Sequence, residues 1–154
     1  MENIKEIILP DGWVIDKVEN GKIILKEDDS KPVIKWNNEK NGVEVKADGY
    51  HFIVASMPTN IRSDYDSAKI ICEKWGGYLP SVEELQVMCK YIKEIDQCFR
   101  NNNGFECLTD LSAYFWSDYN SYTTHARAVR AINGYVCCYV DKTNFYNVKA
   151  FLHI

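Results

Sequence analysis

This sequence has no long apolar run and no excess of basic residues. Its 154 residues include 18 Lys and Arg against 22 Asp and Glu, for a formal net charge of −4. A nucleic-acid-binding protein normally has a basic face for phosphate contacts, and a membrane-spanning helix needs about 20 successive apolar residues. We therefore expect neither a nucleic-acid partner nor insertion into a membrane.

The first residues also lack the apolar core of a secretory signal. Their short apolar run ends at Leu9 and is followed by Pro10 and Asp11, whereas a signal has an apolar region of about 7–15 residues. We expect the protein to be cytoplasmic as synthesised. Association with a virion and export by a non-classical route stay open.

Catalytic motifs are missing as well. The sequence has no glycine-rich phosphate loop, no G-x-S-x-G and no pair of carboxylates with an evident role. His51, His125 and His153 lie in no local catalytic context, although a pair such as Cys137 with His125 is conceivable in three dimensions. We expect no catalytic residue, no cofactor and no enzyme activity.

Cysteine, by contrast, occurs six times. Cys89, Cys98 and Cys107 have eight residues between each pair, a spacing that matches no zinc knuckle, and no histidine lies near them. Cys137 and Cys138 are neighbours on a predicted strand, where successive side chains point to opposite faces and cannot pair. The sequence therefore favours reduced thiols and no metal site.

The first third of the chain carries the signals of two β-hairpins. WVIDKVENGKIILK turns at Asn20-Gly21 and VEVKADGYHFIVAS turns at Asp48-Gly49, dipeptides suited to tight hairpin turns. The polar segment between them predicts a loop or linker in which Trp36 packs onto another element. We expect residues 1–42 to form an N-terminal hairpin and linker segment and residues 43–154 to form the main domain.

Two helices are predicted next. Ser63 with Asp66 can cap the first helix, and Ser81 with Glu84 forms a capping box for the second. The apolar face of the first is Ala68, Ile71, Cys72 and Trp75, and that of the second is Val82, Leu85, Cys89 and Ile92.

The remaining chain is rich in β signals, with Asn133-Gly134 as a tight hairpin and DKTN as a longer one. Strands, then helices, then strands without alternation predict an α+β domain, with two helices packed on a largely antiparallel sheet and N-terminal β-hairpins.

Four pieces occur in a characteristic order: YLPSVEEL (78–85), YFWS (114–117), the Asn-Gly hairpin and a closing VKAF (148–151). This series resembles the DUF1566 type of bacterial and phage C-type-lectin-like domain. In that family an LPS-x-x-EL helix start precedes an aromatic-Trp-Ser strand and a terminal VRAF or VRPV strand. The resemblance covers about residues 60–154 and implies a C-type-lectin-like fold.

The chain departs from lectin patterns at two points. Lys149 stands where the family usually has Arg, so a bidentate ion pair is not expected there. Met57-Pro58-Thr59 and Trp116-Ser117-Asp118 stand in place of the Glu-Pro-Asn loop and Trp-Asn-Asp strand of calcium-dependent sugar-binding lectins. Calcium needs about six to eight converging oxygens, and the sequence shows no such cluster, so we expect binding without calcium.

A recognition surface is predicted in the last third of the chain. Alternation places Tyr135, Cys137 and Tyr139 opposite Val136, Cys138 and Val140, and it places Asn147, Lys149, Phe151 and His153 opposite a buried set. Arg127 and Arg130 fall on opposite faces unless a bulge intervenes. The expected ligand-binding residues are Asp118, Tyr119, Asn120, Tyr122, His125, Arg127, Arg130, Tyr135, Cys137, Tyr139, Asn144 and Asn147.

Residues 118–147 are also rich in residue types that adenine-directed mutagenesis produces from Asn codons. In C-type-lectin-like proteins diversified by retroelements, the variable segment is the 3′ end of the gene. The sequence thus favours a variable domain that binds a protein or carbohydrate ligand, and self-association stays open. A structural or assembly domain, for example of a phage particle, is the alternative. An enzyme comes third, by analogy with the formylglycine-generating relatives of the fold.

Overall fold

The computed structural model describes residues 9–10, 13–27, 31–107, 112–118 and 125–154. The strands are β1 (Trp13–Glu19), β2 (Lys22–Glu27), β3 (Val33–Asn37), β4 (Gly42–Ala47), β5 (Tyr50–Ala55), β6 (Arg62–Ser63), β7 (Tyr114–Trp116), β8 (His125–Arg130), β9 (Val136–Asp141), β10 (Tyr146–Asn147) and β11 (Phe151–Leu152). The helices are α1 (Tyr65–Lys74), α2 (Val82–Lys90) and α3 (Ile92–Asn101).

The strands form three sheets. β1 and β2 make a two-stranded sheet, a five-stranded sheet has the order β6-β10-β7-β8-β9, and a four-stranded sheet has the order β11-β5-β4-β3. Every strand pair is antiparallel except β10 with β7. The predicted α+β class with largely antiparallel pairing is confirmed.

Both predicted N-terminal hairpin turns are present. Asn20 and Gly21 have φ values of 52° and 73°, and Asp48 and Gly49 have values of 53° and 84°. Two successive residues with positive φ form the turn whose twist matches that of the flanking strands. The local dipeptides were therefore sufficient to place these turns.

The polar segment between those hairpins contributes a strand. β3 pairs with β4 across the expected boundary at residue 42. Trp36 on β3 meets the ring of Phe99 edge to face, with 6.1 Å between ring centroids, so its expected packing is confirmed. The division into residues 1–42 and 43–154 stays a prediction.

The helix starts follow the sequence closely. The capping box of α2 is complete, because the Glu84 amide donates to Ser81 Oγ at 3.1 Å and the Ser81 amide donates to Glu84 Oε1 at 3.0 Å. α1 is capped by Asp64, which accepts from the Ser67 amide at 2.8 Å. Ser63, the expected cap, instead lies in β6.

The second predicted helix is interrupted. α2 ends at Lys90 and α3 begins at Ile92, with Tyr91 between them at φ −110° and ψ 23°. The helical periodicity continues across this break, which is why the sequence predicted one helix. Trp75 follows the last residue of α1 and is 41% exposed, so its expected place on the buried face of that helix was wrong.

Two apolar clusters lie against the sheets. We call the first cluster 1; it contains side chains of α2 and α3 together with Phe52 and Val54 of β5. The second, cluster 2, contains side chains of α1 together with Ile53 and Ala55 of β5. Alternate residues of β5 therefore face different clusters, as strand geometry requires. Helices cover both sides of this strand layer.

The end of the chain joins the two larger sheets. Asn147 of β10 pairs with Arg62 and Phe115, and Phe151 of β11 pairs with Val54. Asn147, Lys149 and Phe151 are all buried, so their expected place on an exposed face was wrong. A strand inserted between covered layers buries side chains on both of its faces.

Two turn predictions also need correction. Asn133 and Gly134 do not form a two-residue hairpin turn on their own. They belong to a four-residue loop, 131–134, which is closed by the Arg130 backbone amide donating to Tyr135 O at 2.8 Å. The DKTN segment does not join a hairpin, because β10 pairs with β6 and β7 instead of β9.

Candidate functional site

A row of polar aromatic and basic side chains crosses the exposed end of the five-stranded sheet. Tyr114 on β7 pairs with Arg130 on β8, and the Arg130 amide donates to Tyr135 O just before β9. On the other side, Tyr146 of β10 lies 5.4 Å from Tyr114 between ring centroids. We call these four residues the tyrosine–arginine row.

The side chains of the row are partly exposed to solvent, and contacts between neighbouring side chains hold them in place. Tyr135 is 60% exposed, while Tyr114, Arg130 and Tyr146 are half-buried. The Arg130 guanidinium carbon lies 5.9 Å from the centroid of the Tyr114 ring, within the range of a cation–π contact. Tyr114, Arg130 and Tyr146 thus form the packed part of the row, and Tyr135 is its solvent-accessible end.

Trp116 anchors this part of the sheet. Its ring is fully buried, its Nε1 donates to Ser63 O at 2.8 Å, and it meets the Tyr146 ring at 4.9 Å. The next residue, Ser117, donates its hydroxyl to Arg127 O at 2.9 Å. Trp116 is therefore a core anchor of this sheet, and Ser117 ties the end of β7 to the backbone of β8.

A β-bulge separates two of the expected ligand-binding tyrosines. Ala126 pairs with Val140 but Ala128 pairs with Cys137, so β9 carries one extra residue at this point. Val140 and Cys137 consequently pack together on cluster 2, while Val136 packs on cluster 1. The expected shared face of Val136, Cys138 and Val140 was therefore wrong.

Tyr139 belongs to a different patch from the row. It is 64% exposed and its ring stacks on His125, with centroids 4.0 Å apart and 23° between planes. Arg127 lies half-buried between His125 and Val129 along β8. Because the extra residue lies on β9, alternation holds along β8, and Arg127 and Arg130 fall on opposite faces of that strand with Arg130 facing the row.

Cys137 lies beside the row. A hydrogen bond between the Cys137 thiol and the Tyr114 hydroxyl raises the pKa of Tyr114, so the phenol stays protonated as a donor at neutral pH. Cys137 is half-buried and Cys138 is exposed, and all six cysteines of the chain are free thiols. This agrees with the reduced state that the sequence favours.

Asp118 is fixed by a lysine of α1. Lys69 Nζ lies 3.4 Å from Asp118 Oδ1 and 5.0 Å from the centroid of the buried Tyr65 ring. Lys142, from the segment after β9, approaches the same ring at 5.1 Å. Burial raises the pKa of Tyr65, so these lysines contact a neutral phenol.

The other expected site residues are dispersed. Tyr119, Asn120 and Tyr122 lie outside the described residues. Asn144 is exposed in the turn after β9, where its amide donates to Asp141 O at 3.1 Å. Asn147 is 6% exposed and lies in the sheet interior, out of reach of a ligand.

Tyr114 and Tyr146 are the site residues that sequence reasoning missed. Alternation with Trp116 places Tyr114 on the same face as that anchor, but nothing in the sequence shows that β10 inserts next to β7. Phe145, 67% exposed beside Tyr146, was missed for the same reason. A prediction of strand order would have been needed to find them.

Several buried ionisable groups lie outside the tyrosine–arginine row. Burial lowers the pKa of Lys149, while Cys107 and Asp96 act in the opposite direction. Burial also raises the pKa of the Cys72 and Cys89 thiols to about 12. These thiols are protonated and shielded at neutral pH.

No helix in the described part of the chain is long and apolar enough to cross a membrane. Among the described residues, no group of three or more His, Cys, Asp or Glu side chains is placed to hold a metal ion. Comparison with protein-family models, with curated proteins and with solved structures finds no match.

Proposed function

We propose that the protein is a calcium-independent binding domain that recognises a protein or a glycan through its C-terminal strands and loop. The observation that carries this proposal is the tyrosine–arginine row. Tyrosine offers a large, rigid contact area and a polar hydroxyl, and arginine offers a planar set of donors, so both dominate recognition surfaces. Here they lie side by side on a sheet with a fully buried anchor, Trp116.

Preorganisation supports the same proposal. Tyr114 contacts Tyr146 on one side and Arg130 on the other, and Tyr146 rests on Trp116. Side chains already held in place lose little entropy when a ligand binds. The row therefore has the physical character of a binding surface with an accessible end at Tyr135.

The proposed fold is a C-type-lectin-like one. Its support is the order of YLPSVEEL, YFWS and VKAF, together with an α+β arrangement in which the end of the chain pairs with strands of both larger sheets. We further propose that residues 118–147 form a variable surface on this scaffold. The exposed positions of that range, such as Tyr135, Tyr139 and Asn144, support it because such positions tolerate substitution.

The proposal is tested by selecting ligands and truncating the row. The wild-type protein is screened on a printed glycan array and against a displayed random-peptide library, both with a calcium chelator. For a selected probe, we expect Tyr135→Ala to weaken binding by at least about tenfold, because truncating an interface hot spot costs more than about 1.4 kcal/mol. Affinity is measured by calorimetry on purified protein.

The matched control is Tyr50→Ala. Tyr50 is a partly exposed tyrosine on β5 of the four-stranded sheet, and its truncation should leave affinity unchanged. Equal loss in both variants, or no selected probe of either class, would contradict the proposal. A Tyr135→Ala variant that loses an oligomer instead of a ligand would favour the assembly role.

A further inference from the structure

The β1–β2 hairpin has one apolar face and one charged face. Ile15 pairs with Leu25 and Val18 pairs with Ile23, while a bulge on β1 at Asp16 adds one residue between these pairs. Without that bulge, Ile15 and Val18 would point to opposite faces. The apolar face consists of Trp13, Ile15, Val18, Ile23 and Leu25, and Glu27 pairs with Trp13 at the end of the hairpin away from its turn.

Solvent reaches most of this apolar face. Val18 is 65% exposed and Ile23 is 44% exposed, and Trp13 and Ile15 are also exposed. Neither β1 nor β2 pairs with a third strand in the described part of the chain. Because an isolated two-stranded hairpin is at best marginally stable in water, this face needs a cover to hold the hairpin together.

Charge indicates which kind of surface can cover it. The opposite face carries Asp16, Lys17, Glu19, Lys22 and Lys26. Lys26 Nζ forms an ion pair with Asp16 at 3.6 Å, and Lys17 Nζ forms one with Glu19 at 3.4 Å. These charges are therefore neutralised within the hairpin. Residues 13–27 contain three acidic and three basic residues.

We propose that the apolar face of the β1–β2 hairpin binds the same face of a second copy of this chain. An identical face supplies the apolar cover, and two hairpins without net charge approach each other without repulsion. A twofold axis through such a contact gives a closed pair in which both copies use the same residues.

The size of the contact sets its strength. Five side chains from each copy are fewer than the roughly 20–30 residues of a standard interface, so the dimer is reversible and depends on concentration. Pairing would present two tyrosine–arginine rows together, which raises the avidity for a repeated ligand. Dimerisation itself does not depend on the proposed ligand-binding function, because its test uses no ligand.

The test compares two neighbouring isoleucines of β2. Molar mass is measured by sedimentation equilibrium over a wide range of protein concentration, starting from the chain mass of 17.8 kDa. We expect wild type to approach twice that mass, Ile23→Lys to stay at the mass of one chain, and Ile24→Lys to dimerise like wild type. Ile24 lies on the charged face and is itself partly exposed, which makes it the matched control.

A milder variant covers the case in which Ile23→Lys unfolds the hairpin. Val18→Thr keeps a β-branched side chain and should raise the dimer dissociation constant by about tenfold, because one buried methyl is lost in each copy. Hydrogen exchange of residues 13–27 is measured at the same concentrations, and we expect protection that grows with concentration.

Three results would overturn the proposal. A monomer whose hairpin is protected at every concentration would mean that another part of the same chain covers the face. A monomer whose hairpin exchanges freely at every concentration would mean that the face is open or is kept for a different protein. Equal loss of the dimer in Ile23→Lys and Ile24→Lys would place the contact on another surface.

Discussion

Lys149 is a lysine buried in the core. It is 2% exposed, and its Nζ has no hydrogen-bond partner among the residues that the structure describes. Burial lowers its pKa, and the nearby Cys107 thiol and Asp96 carboxyl only partly oppose that effect. An unpaired polar group in the core costs about 1–3 kcal/mol, so this residue lowers the stability of the protein.

We predict that Lys149→Met stabilises the protein by about 1–3 kcal/mol at neutral pH, since an unbranched apolar chain of similar length removes the desolvation cost. The folded pKa lies below the unfolded value of 10.5, so the unfolded chain binds the proton more readily. The stability of wild type relative to the variant should therefore fall as pH falls from 10.5 to the folded pKa, and then level off. Denaturant titrations at several pH values measure this.

The control for that experiment is Lys93→Met. Lys93 is exposed on α3, and its replacement should change stability by no more than about 0.5 kcal/mol with no pH dependence. Lys93→Met keeps Lys149 beside Cys107 and Asp96, so a pH dependence that appears only in Lys149→Met belongs to this buried group. A destabilised Lys149→Met protein would show that the ammonium has a stabilising partner.

At the scale of secondary-structure elements, the connection after α1 depends on a close backbone approach. The Tyr78 amide donates to Phe151 O at 2.8 Å, and the Phe151 amide donates to Tyr78 O at 3.0 Å. A Cβ on Gly77 would overlap the Phe151 carbonyl oxygen, whereas Gly76 has φ +82° and open space around its Cα. At position 77 any side chain would collide with the backbone of Phe151, so glycine is required for steric reasons. At position 76 there is room for a side chain, but the positive φ favours glycine.

We predict that Gly77→Ala destabilises the protein by about 3 kcal/mol, at the upper end of overpacking costs, because backbone and not a flexible side chain must move. Gly76→Ala should cost only about 1–2 kcal/mol, the penalty of a left-handed alanine. Thermal and urea unfolding of the two variants measure the order. Equal or reversed costs would mean that the α1–β11 contact yields easily.

Single extra residues decide which side chains meet. The bulge at Asp16 puts the apolar residues of the hairpin on one face, and the bulge on β9 sends Tyr135 and Tyr139 to different patches. Period-two alternation is correct on either side of each bulge and fails across it. Prediction from pattern alone therefore placed Tyr135 and Tyr139 on one face, whereas the structure separates them.

At the scale of the whole molecule, the structure sorts the positions of the proposed variable segment. Among the described residues of 118–147, the buried ones are Ala126, Ala128, Val129, Ala131, Val140 and Asn147. The exposed ones include Asp118, Tyr135, Tyr139 and Asn144. Exposed substitutions cost within about 0.5 kcal/mol, whereas truncation in a core costs about 2–5 kcal/mol.

We predict that sequences of this locus from several isolates differ at the exposed positions and agree at the buried ones. A second near-copy of the 3′ end that differs at adenines, and a reverse transcriptase gene nearby, should accompany the variation. An unvarying 3′ end without a template copy would exclude diversification. Equal variation at buried and exposed positions would contradict the division made by the fold.

The sequence by itself determined the local features. The turns at Asn20-Gly21 and Asp48-Gly49, the capping box of Ser81 and Glu84, and the α+β class follow from interactions among residues a few positions apart. The free state of the cysteines also agrees with their spacing. Such features are predictable because neighbours in sequence fix backbone geometry before any distant contact forms.

Only the tertiary structure decided the order of the strands and therefore the surface. The insertion of β10 between β6 and β7 buries Asn147 and brings Tyr146 beside Tyr114. That pairing joins residues more than 30 positions apart, and no local pattern encodes it. Strand order results from how whole faces fill the core, so the tyrosine–arginine row exists only in the folded molecule.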